Sequence, residues 1–150
     1  MKAAQIGKCG ELLVQYQLLL RGIEFAQLTT DSGIDLVAYS PKNEKPLTIQ
    51  VKANLQPKAS GGKGKYALDW WISENSPAQY VAFVDLSTQR IWLFSQSDVG
   101  TIAQQTSNGR HHFYMYIDPT ATPSKTGYSI HSYAFEKYLL QNRAHEIFDV

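Results

Sequence analysis

Four polar side chains in the first third of the sequence are of the types that metal-dependent hydrolysis uses: Glu11, Asp35, Gln50 and Lys52. Asp35 stands near the start of the segment IDLVAYS, and Gln50 and Lys52 alternate with apolar residues in PLTIQVKAN. Breaking a phosphodiester bond requires an activated water and a cation that stabilises the negative charge on the phosphate oxygens. Carboxylate and amide oxygens are suitable ligands for such a cation.

Hydrophobic periodicity indicates where these side chains point. Val14 and Leu18 share a helical stripe with Glu11, which predicts that Glu11 faces the sheet. In the strand, Gln50 and Lys52 lie on one face, opposite the apolar residues Leu47, Ile49, Val51 and Ala53. Each residue also has an ordinary interpretation: Glu11 as a surface carboxylate, Asp35 as a strand start, and Lys52 as a solvent-facing lysine.

The pattern of apolar runs and turn residues predicts a mixed α/β chain that begins with a helix and a β-meander. We expect a helix over residues 3–22, strands over 23–28, 34–40 and 46–54, a hairpin of strands over 79–86 and 90–95, a short helix over 96–105, a strand over 111–118 and a closing helix over 132–143. The pattern over residues 66–73 does not distinguish helix from strand. No repeat or long linker divides the chain, so we expect a single domain over residues 1–150.

Composition narrows the classes of protein that fit. The single cysteine, Cys9, cannot form an internal disulfide, which favours a reducing compartment. Polar residues interrupt the leucine-rich N-terminal segment, and no apolar run is long enough to span a bilayer. We therefore expect a cytoplasmic protein without a membrane segment. The net charge of +1 means that any contact with nucleic acid must come from local patches.

One basic segment could form such a patch. Residues 52–65 carry four lysines and no acidic residue, and glycines there allow close approach to a partner. We expect Lys58, Lys63 and Lys65, together with Lys8, to contact nucleic-acid phosphates. A solvated flexible loop is the alternative.

Considered together, the segments GKCGELLV, GIDLVAY and IQVKANL resemble the PD-(D/E)XK nuclease superfamily, with Glu11, Asp35, Gln50 and Lys52 at the motif positions. The spacing is similar to that of Holliday-junction resolvases and of bacterial intron-encoded homing endonucleases. Ile34 stands where the superfamily's name has proline. Gln50 replaces the usual Glu or Asp, a variant that the homing endonucleases also resemble.

The resemblance implies a restriction-endonuclease-like α/β fold, with an N-terminal helix, a β-meander, a mixed central sheet and flanking helices. It implies a Mg²⁺-dependent endonuclease acting on DNA, with Mn²⁺ able to substitute. Asp35, the Gln50 amide and the Val51 backbone carbonyl would bind the metal, and Glu11 would bind metal-held water or a second ion. Lys52 would orient the attacking water or stabilise the phosphate. The alternative is a nucleic-acid- or protein-binding module that kept the fold with a decayed site.

Further residues have simpler interpretations. His111 and His112 are adjacent on a predicted strand, so they face opposite sides and do not readily chelate one metal. The tryptophans are expected in the core or at a subunit interface. The C-terminal half is rich in aromatic residues, which favours a homo-oligomer, a dimer or tetramer; they are Tyr114, Tyr116, Tyr133, Phe135 and Tyr138.

Overall fold

The chain begins with an 18-residue helix, α1 (Ala3–Leu20), in the computed structural model, which describes residues 1–30, 32–60 and 64–150. Val14 and Leu18 on its inner stripe are buried, as the periodicity predicts. The helix ends at Leu20, and the N–H of the following Arg21 caps it by donating to the carbonyl of Leu18. Gly22 follows with φ of +75°, a left-handed conformation that glycine adopts without steric cost.

The predicted meander and hairpin lie in one mixed sheet. The strands in the described part of the chain are β1 (Glu24–Gln27), β2 (Leu36–Tyr39), β3 (Pro46–Asn54), β4 (Lys58–Ser60), β5 (Lys65–Ser73), β6 (Tyr80–Asp85), β7 (Arg90–Ser95), β8 (Gln105–Ser107) and β9 (Arg110–Tyr116). The other helices are α2 (Gln96–Ile102), a 3₁₀ helix (Ser132–Tyr138) and α3 (Leu140–Phe148). The first sheet has the order β1-β2-β3-β6-β7. Only its β3–β6 pair is parallel.

Both faces of the first sheet are covered, because its central strands carry apolar side chains on both sides. Ala82 and Val84 of β6 face a core formed with α1 and α3. Val81 and Phe83 face a second, aromatic core that also contains Trp70 of β5. The molecule is therefore layered, with α1 and α3 on one face of the first sheet and a second sheet, α2 and the 3₁₀ helix on the other.

The connection between the parallel strands β3 and β6 runs through β4 and β5 of the second sheet, whereas a helix is the usual crossover between parallel strands. The second sheet has the order β4-β5-β9-β8, and its pairs are all antiparallel. Residues 65–73, whose state the pattern leaves open, form β5. The flexible-loop interpretation of residues 52–65 is wrong in part, because residues 52–54 belong to β3 and Lys58–Ser60 pair with β5.

The closing helix differs from the prediction. Residues 132–138 form a 3₁₀ helix, and α3 begins only at Leu140. Leu139 separates the two in an extended conformation (φ −56°, ψ 140°) and forms an isolated bridge with Trp92 of the edge strand β7. This pairing covers that edge of the sheet, which a continuous helix could not do.

The C-terminal aromatic residues mostly pack within their own chain. Phe135 is buried and meets Phe113 edge to face, and Tyr138 packs on Phe94 with ring centroids 4.4 Å apart. Tyr116 is also buried, and only Tyr133 of the five is largely exposed. Of these five residues, Tyr133 therefore leaves the most aromatic surface for contact with another molecule. Trp70 and Trp92 are in the core, as expected.

Within the described ranges, no helix combines the length and the apolar character that crossing a bilayer requires.

Candidate active site

Asp35 lies directly before β2, at the place where β2 and β3 stop pairing; we call this place the opening of the first sheet. Strand β2 begins pairing with β3 at Leu36, opposite Ile49. Just before it, the Asp35 N–H donates to the Ile49 carbonyl at 2.9 Å, and the Asp35 Oδ2 accepts the Val51 N–H at 2.6 Å. The carboxylate thus accepts the Val51 N–H in the place of a main-chain carbonyl from a neighbouring strand. Because the N–H and C=O of one strand residue point to the same edge, the Val51 carbonyl also faces this opening.

Gln50 and Lys52 share the face of β3 opposite the α1 layer. The register places Gln50 beside Asp35, one step before the Leu36–Ile49 pair. The Gln50 Oε1 accepts a hydrogen bond from Ser76 Oγ at 2.9 Å, which fixes the amide. Lys52 is half-buried, and its ammonium contacts no hydrogen-bond or ion-pair partner among residues 1–30, 32–60 and 64–150. Lys52 is therefore neither fully exposed nor paired with a described residue.

Glu11 reaches the opening because α1 lies unusually close to β3. A Cβ on Gly10 would stand 2.6 Å from the Ala53 Cβ and 3.4 Å from a Val51 methyl group, so only glycine allows this approach. The Glu11 side chain is 26% exposed and lies 3.4 Å from the Lys8 ammonium. Glu11 is therefore partly shielded rather than fully exposed.

Glu11 and Asp35 line one cleft of about 290 Å³. Its other lining residues are Lys8, Gln27, Leu28, Thr29, Thr30 and Ile34. Gln50 and Lys52 do not line this cleft, because they lie on the face of β3 that points away from α1. The structure thus brings the two carboxylates to one cleft and places the amide beside Asp35 across the strand pair.

The donor set at the opening has the chemistry that Mg²⁺ requires, namely hard oxygen ligands with room for water. Asp35 Oδ1 accepts no hydrogen bond from the described residues, and the Val51 carbonyl lies beyond the last β2 pair. The described part of the chain contains no cluster of three His, Cys, Asp or Glu side chains suited to a metal ion. Any ion here would depend on two carboxylates, an amide oxygen and a backbone carbonyl.

The lysines expected to contact phosphates occupy different environments. Lys8 is paired with Glu11, and the Lys65 ammonium donates to the carbonyl and the hydroxyl of Thr120 at 2.9 and 2.5 Å. Lys58 is exposed on β4. Lys63 lies outside the described residues.

Comparison with solved structures identifies the same architecture elsewhere. The structure of a bacterial homing endonuclease, I-Ssp6803I, superposes with a TM-score of 0.62 over 99% of this chain and 92% of its own, at 15% sequence identity. The chain has a restriction-endonuclease-like fold. The predicted fold is therefore confirmed, together with its structural similarity to a homing endonuclease.

Two further structures are similar at lower scores. The Holliday junction resolvase Hjc of Archaeoglobus fulgidus matches with a TM-score of 0.48, covering 71% of this chain and 81% of its own, at 15% identity. MepB matches with a TM-score of 0.41, covering 93% and 97%, also at 15% identity. Because both scores are below 0.5, the fold assignment rests on the homing endonuclease. No protein-family model and no curated protein matches the sequence.

Sequence reasoning did not find the residues that support the site. Gly10 permits the close approach of α1, and Ser76 fixes the Gln50 amide. A glycine inside a helix and directly before the candidate Glu11 was an available signal, since such a position costs helix stability unless close packing requires it. Ser76 lies 26 residues after Gln50 in the chain, and no local pattern connects them.

Proposed function

We propose that the protein is a metal-dependent endonuclease that hydrolyses DNA phosphodiester bonds. The observation that carries this proposal is the opening of the sheet at Asp35, where a carboxylate fixed by the Val51 N–H stands beside the Gln50 amide and the Val51 carbonyl, which lies beyond the last β2 pair. The restriction-endonuclease-like fold supports the same activity, and the unpartnered ammonium of Lys52 lies two residues along the same face.

Each residue then has a role that follows from its position. Asp35, Gln50 and the Val51 carbonyl would hold Mg²⁺, or Mn²⁺ in its place, and Glu11 would hold water bound to it. The ion would supply the positive charge that activates water and stabilises the phosphate in the transition state. Lys52, which no described residue neutralises, would orient the attacking water or donate to a phosphate oxygen.

The charges of the site indicate a weak affinity for metal. The charges of Glu11 and Asp35 are opposed by Lys8, which is paired with Glu11 in the same cleft, and by Lys52 on the face of β3 that Gln50 shares. The neutral Gln50 adds an oxygen without adding charge. A carboxylate at position 50 would add an ion–ion attraction to Mg²⁺, so Gln50→Glu is expected to tighten metal binding.

A Mg²⁺ titration of cleavage tests the proposal. Asp35→Asn keeps an oxygen that accepts the Val51 N–H but removes the charge, so cleavage is expected to fall at least about 100-fold while DNA binding in Ca²⁺ persists. Gln50→Glu is expected to reach half-maximal rate at lower Mg²⁺. Glu74→Gln, an exposed carboxylate on the second sheet's side, is the control and leaves cleavage unchanged. Equal cleavage by Asp35→Asn and wild type would refute the assigned role.

A second candidate is a DNA- or protein-binding module with a decayed site. Gln50 in place of a carboxylate favours it, as does the lack of a third acidic or histidine ligand among the described residues. This candidate predicts that wild type cleaves no DNA form and that calorimetry detects no binding at millimolar Mg²⁺.

We also propose that the active form is a homodimer or tetramer, because each chain has one candidate site and cutting both strands of a duplex takes two. Light scattering coupled to size exclusion, with and without DNA, tests this. A monomer in both conditions would contradict it.

A further inference from the structure

The outer face of the second sheet, which points away from the first sheet, carries aromatic and cationic side chains rather than the usual mixture of small polar groups. Strand alternation and register place on it Trp71 of β5 and His112, Tyr114 and Tyr116 of β9. Lys58 and Arg110 stand on the same face, on β4 and at the start of β9. Its acidic member, Asp69, is paired with His112 at 2.9 Å.

A cavity of about 240 Å³ lies on this outer face, beneath the segment that follows β9. Its floor includes His112, Tyr114 and Tyr116. Its sides include Ser60, Gln105 and Ile130, and its roof includes Thr122, Pro123 and Ser124. The volume is below the ~300 Å³ of typical drug-sized sites, so it suits one planar ring system.

The roof of the cavity is fastened on both sides. Lys65 donates to Thr120, and His131 Nε2 lies 2.9 Å from the Ala121 carbonyl. The Tyr116 N–H donates to the Ile130 carbonyl at 2.6 Å. The cavity is therefore formed before any ligand arrives, which reduces the entropy lost on binding.

Contacts to both ring nitrogens and to the ring face hold the His112 side chain in one position. Its Nε2 meets the Asp69 carboxylate, its Nδ1 lies 3.3 Å from Gln105 Oε1, and its ring stacks on Trp71 with centroids 4.1 Å apart. The hydrogen bond from His112 holds the pKa of Asp69 below its usual value. Both ring nitrogens of His112 are therefore already in contact with protein oxygens.

Tyr114 offers a ring face for stacking. Its aromatic neighbours meet it at steep angles, His112 at 54° and Tyr116 at 82°, so neither ring lies parallel on it. Aromatic faces of this kind stack on nucleobases that have left the duplex, with little dependence on base identity. Lys58 and Arg110 on the same face suit the phosphates on either side of such a base.

We propose that this cavity binds a nucleobase, presented by an unpaired nucleotide of DNA and stacked on Tyr114. The proposal rests on the proposed function only in taking DNA as the ligand, and it requires no cleavage. The cavity is also connected to the candidate active site through β3. Asn54, two residues after Lys52, exchanges hydrogen bonds of 2.8 and 2.9 Å with the main chain of Asp69, the partner of His112.

Equilibrium binding in EDTA tests the proposal without any contribution from cleavage. Fluorescence anisotropy compares the full chain on a duplex with one unpaired adenine and on the fully paired duplex. Wild type is expected to prefer the first by about tenfold, as one stacked base contributes. Tyr114→Leu is expected to lose that preference while still binding the paired duplex. Tyr66→Leu, an exposed tyrosine of β5 outside the cavity, keeps it.

Two further measurements keep the result decisive. If Tyr114→Leu shows no cooperative melting, Ser124→Phe on the exposed roof fills the cavity without altering the sheet and is expected to abolish the preference. Competition by dAMP separates the sources of the base: displacement of the unpaired-adenine duplex indicates that a free nucleotide also enters, and its absence indicates that the DNA strand is required. Equal binding of the two duplexes by wild type, or a preference that survives both substitutions, overturns the proposal. Either result would leave cleavage at Asp35 unaffected.

Discussion

Replacing Gly10 by alanine tests whether α1 is held against β3 as closely as the structure indicates. The added Cβ would stand 2.6 Å from the Ala53 Cβ, whereas carbon atoms in contact are about 3.5–4.0 Å apart, so the helix must retreat by about 1 Å. Helix propensity alone favours alanine by about 1 kcal/mol. Overpacking of this kind costs about 1–3 kcal/mol, so the net change is a loss of up to about 2 kcal/mol.

Gly7 provides the matched control, because it lies in the same helix and a Cβ there meets no atom within 4 Å. Gly7→Ala is therefore expected to raise the free energy of unfolding by about 0.5–1 kcal/mol. Urea unfolding of both variants measures the difference, and Ala53→Gly is expected to rescue Gly10→Ala. Since Glu11 moves with the helix, cleavage by Gly10→Ala is expected to fall by up to about 100-fold. If Gly10→Ala were as stable as Gly7→Ala, the close packing would be refuted.

Two predictions concern charged residues away from the opening of the sheet. Lys58→Ala is expected to reduce the slope of log affinity against log salt on duplex DNA by about 0.9, and an unchanged slope would remove Lys58 from the interface. Asp98 caps α2 through the Ser95 N–H and pairs with Arg143 at 3.0 Å; although burial alone would raise the pKa of Asp98, these partners lower it overall. Its stabilisation is therefore complete above the unfolded pKa of about 3.9 and is lost as the pH falls through the lower folded value. Asp98→Ala is expected to cost about 1–2 kcal/mol at pH 7 and to flatten the loss of stability below pH 4, and parallel acid titrations of unfolding for both proteins check this.

The regular elements of the first sheet follow from local sequence. Alternation in PLTIQVKAN predicts β3 with the observed bounds, and the helical stripe of Val14 and Leu18 predicts which side of α1 is buried. The paired strands over 79–86 and 90–95 follow from two apolar runs separated by four polar residues. These signals are strong because an element that buries one face, or both, shows this directly in the spacing of its apolar residues.

The second sheet does not follow from local sequence, because it depends on contacts between distant strands. Residues 66–73 read equally as helix or strand, and their pairing with β9 some forty residues later decides the matter. The same holds for the candidate site. The types of Asp35 and Lys52 are visible in the sequence, but the 2.6 Å bond from Val51 and the half-buried state of Lys52 arise from the sheet's opening and its covering layer. The pairing of His112 with Asp69 crosses 43 residues and has no local signature.

The most direct test of the proposed nuclease is cleavage of supercoiled, nicked and branched DNA by wild type and Lys52→Met, each with Mg²⁺, Mn²⁺ or EDTA. Lys45→Met, an exposed lysine in the turn before β3, is the matched control. We predict that wild type and Lys45→Met cleave only with metal, and that Lys52→Met is at least about 100-fold slower while it binds DNA normally, because it lacks the charge that stabilises the reacting phosphate. A wild type inert on every DNA form, or a Lys52→Met variant as fast as wild type, would contradict this account.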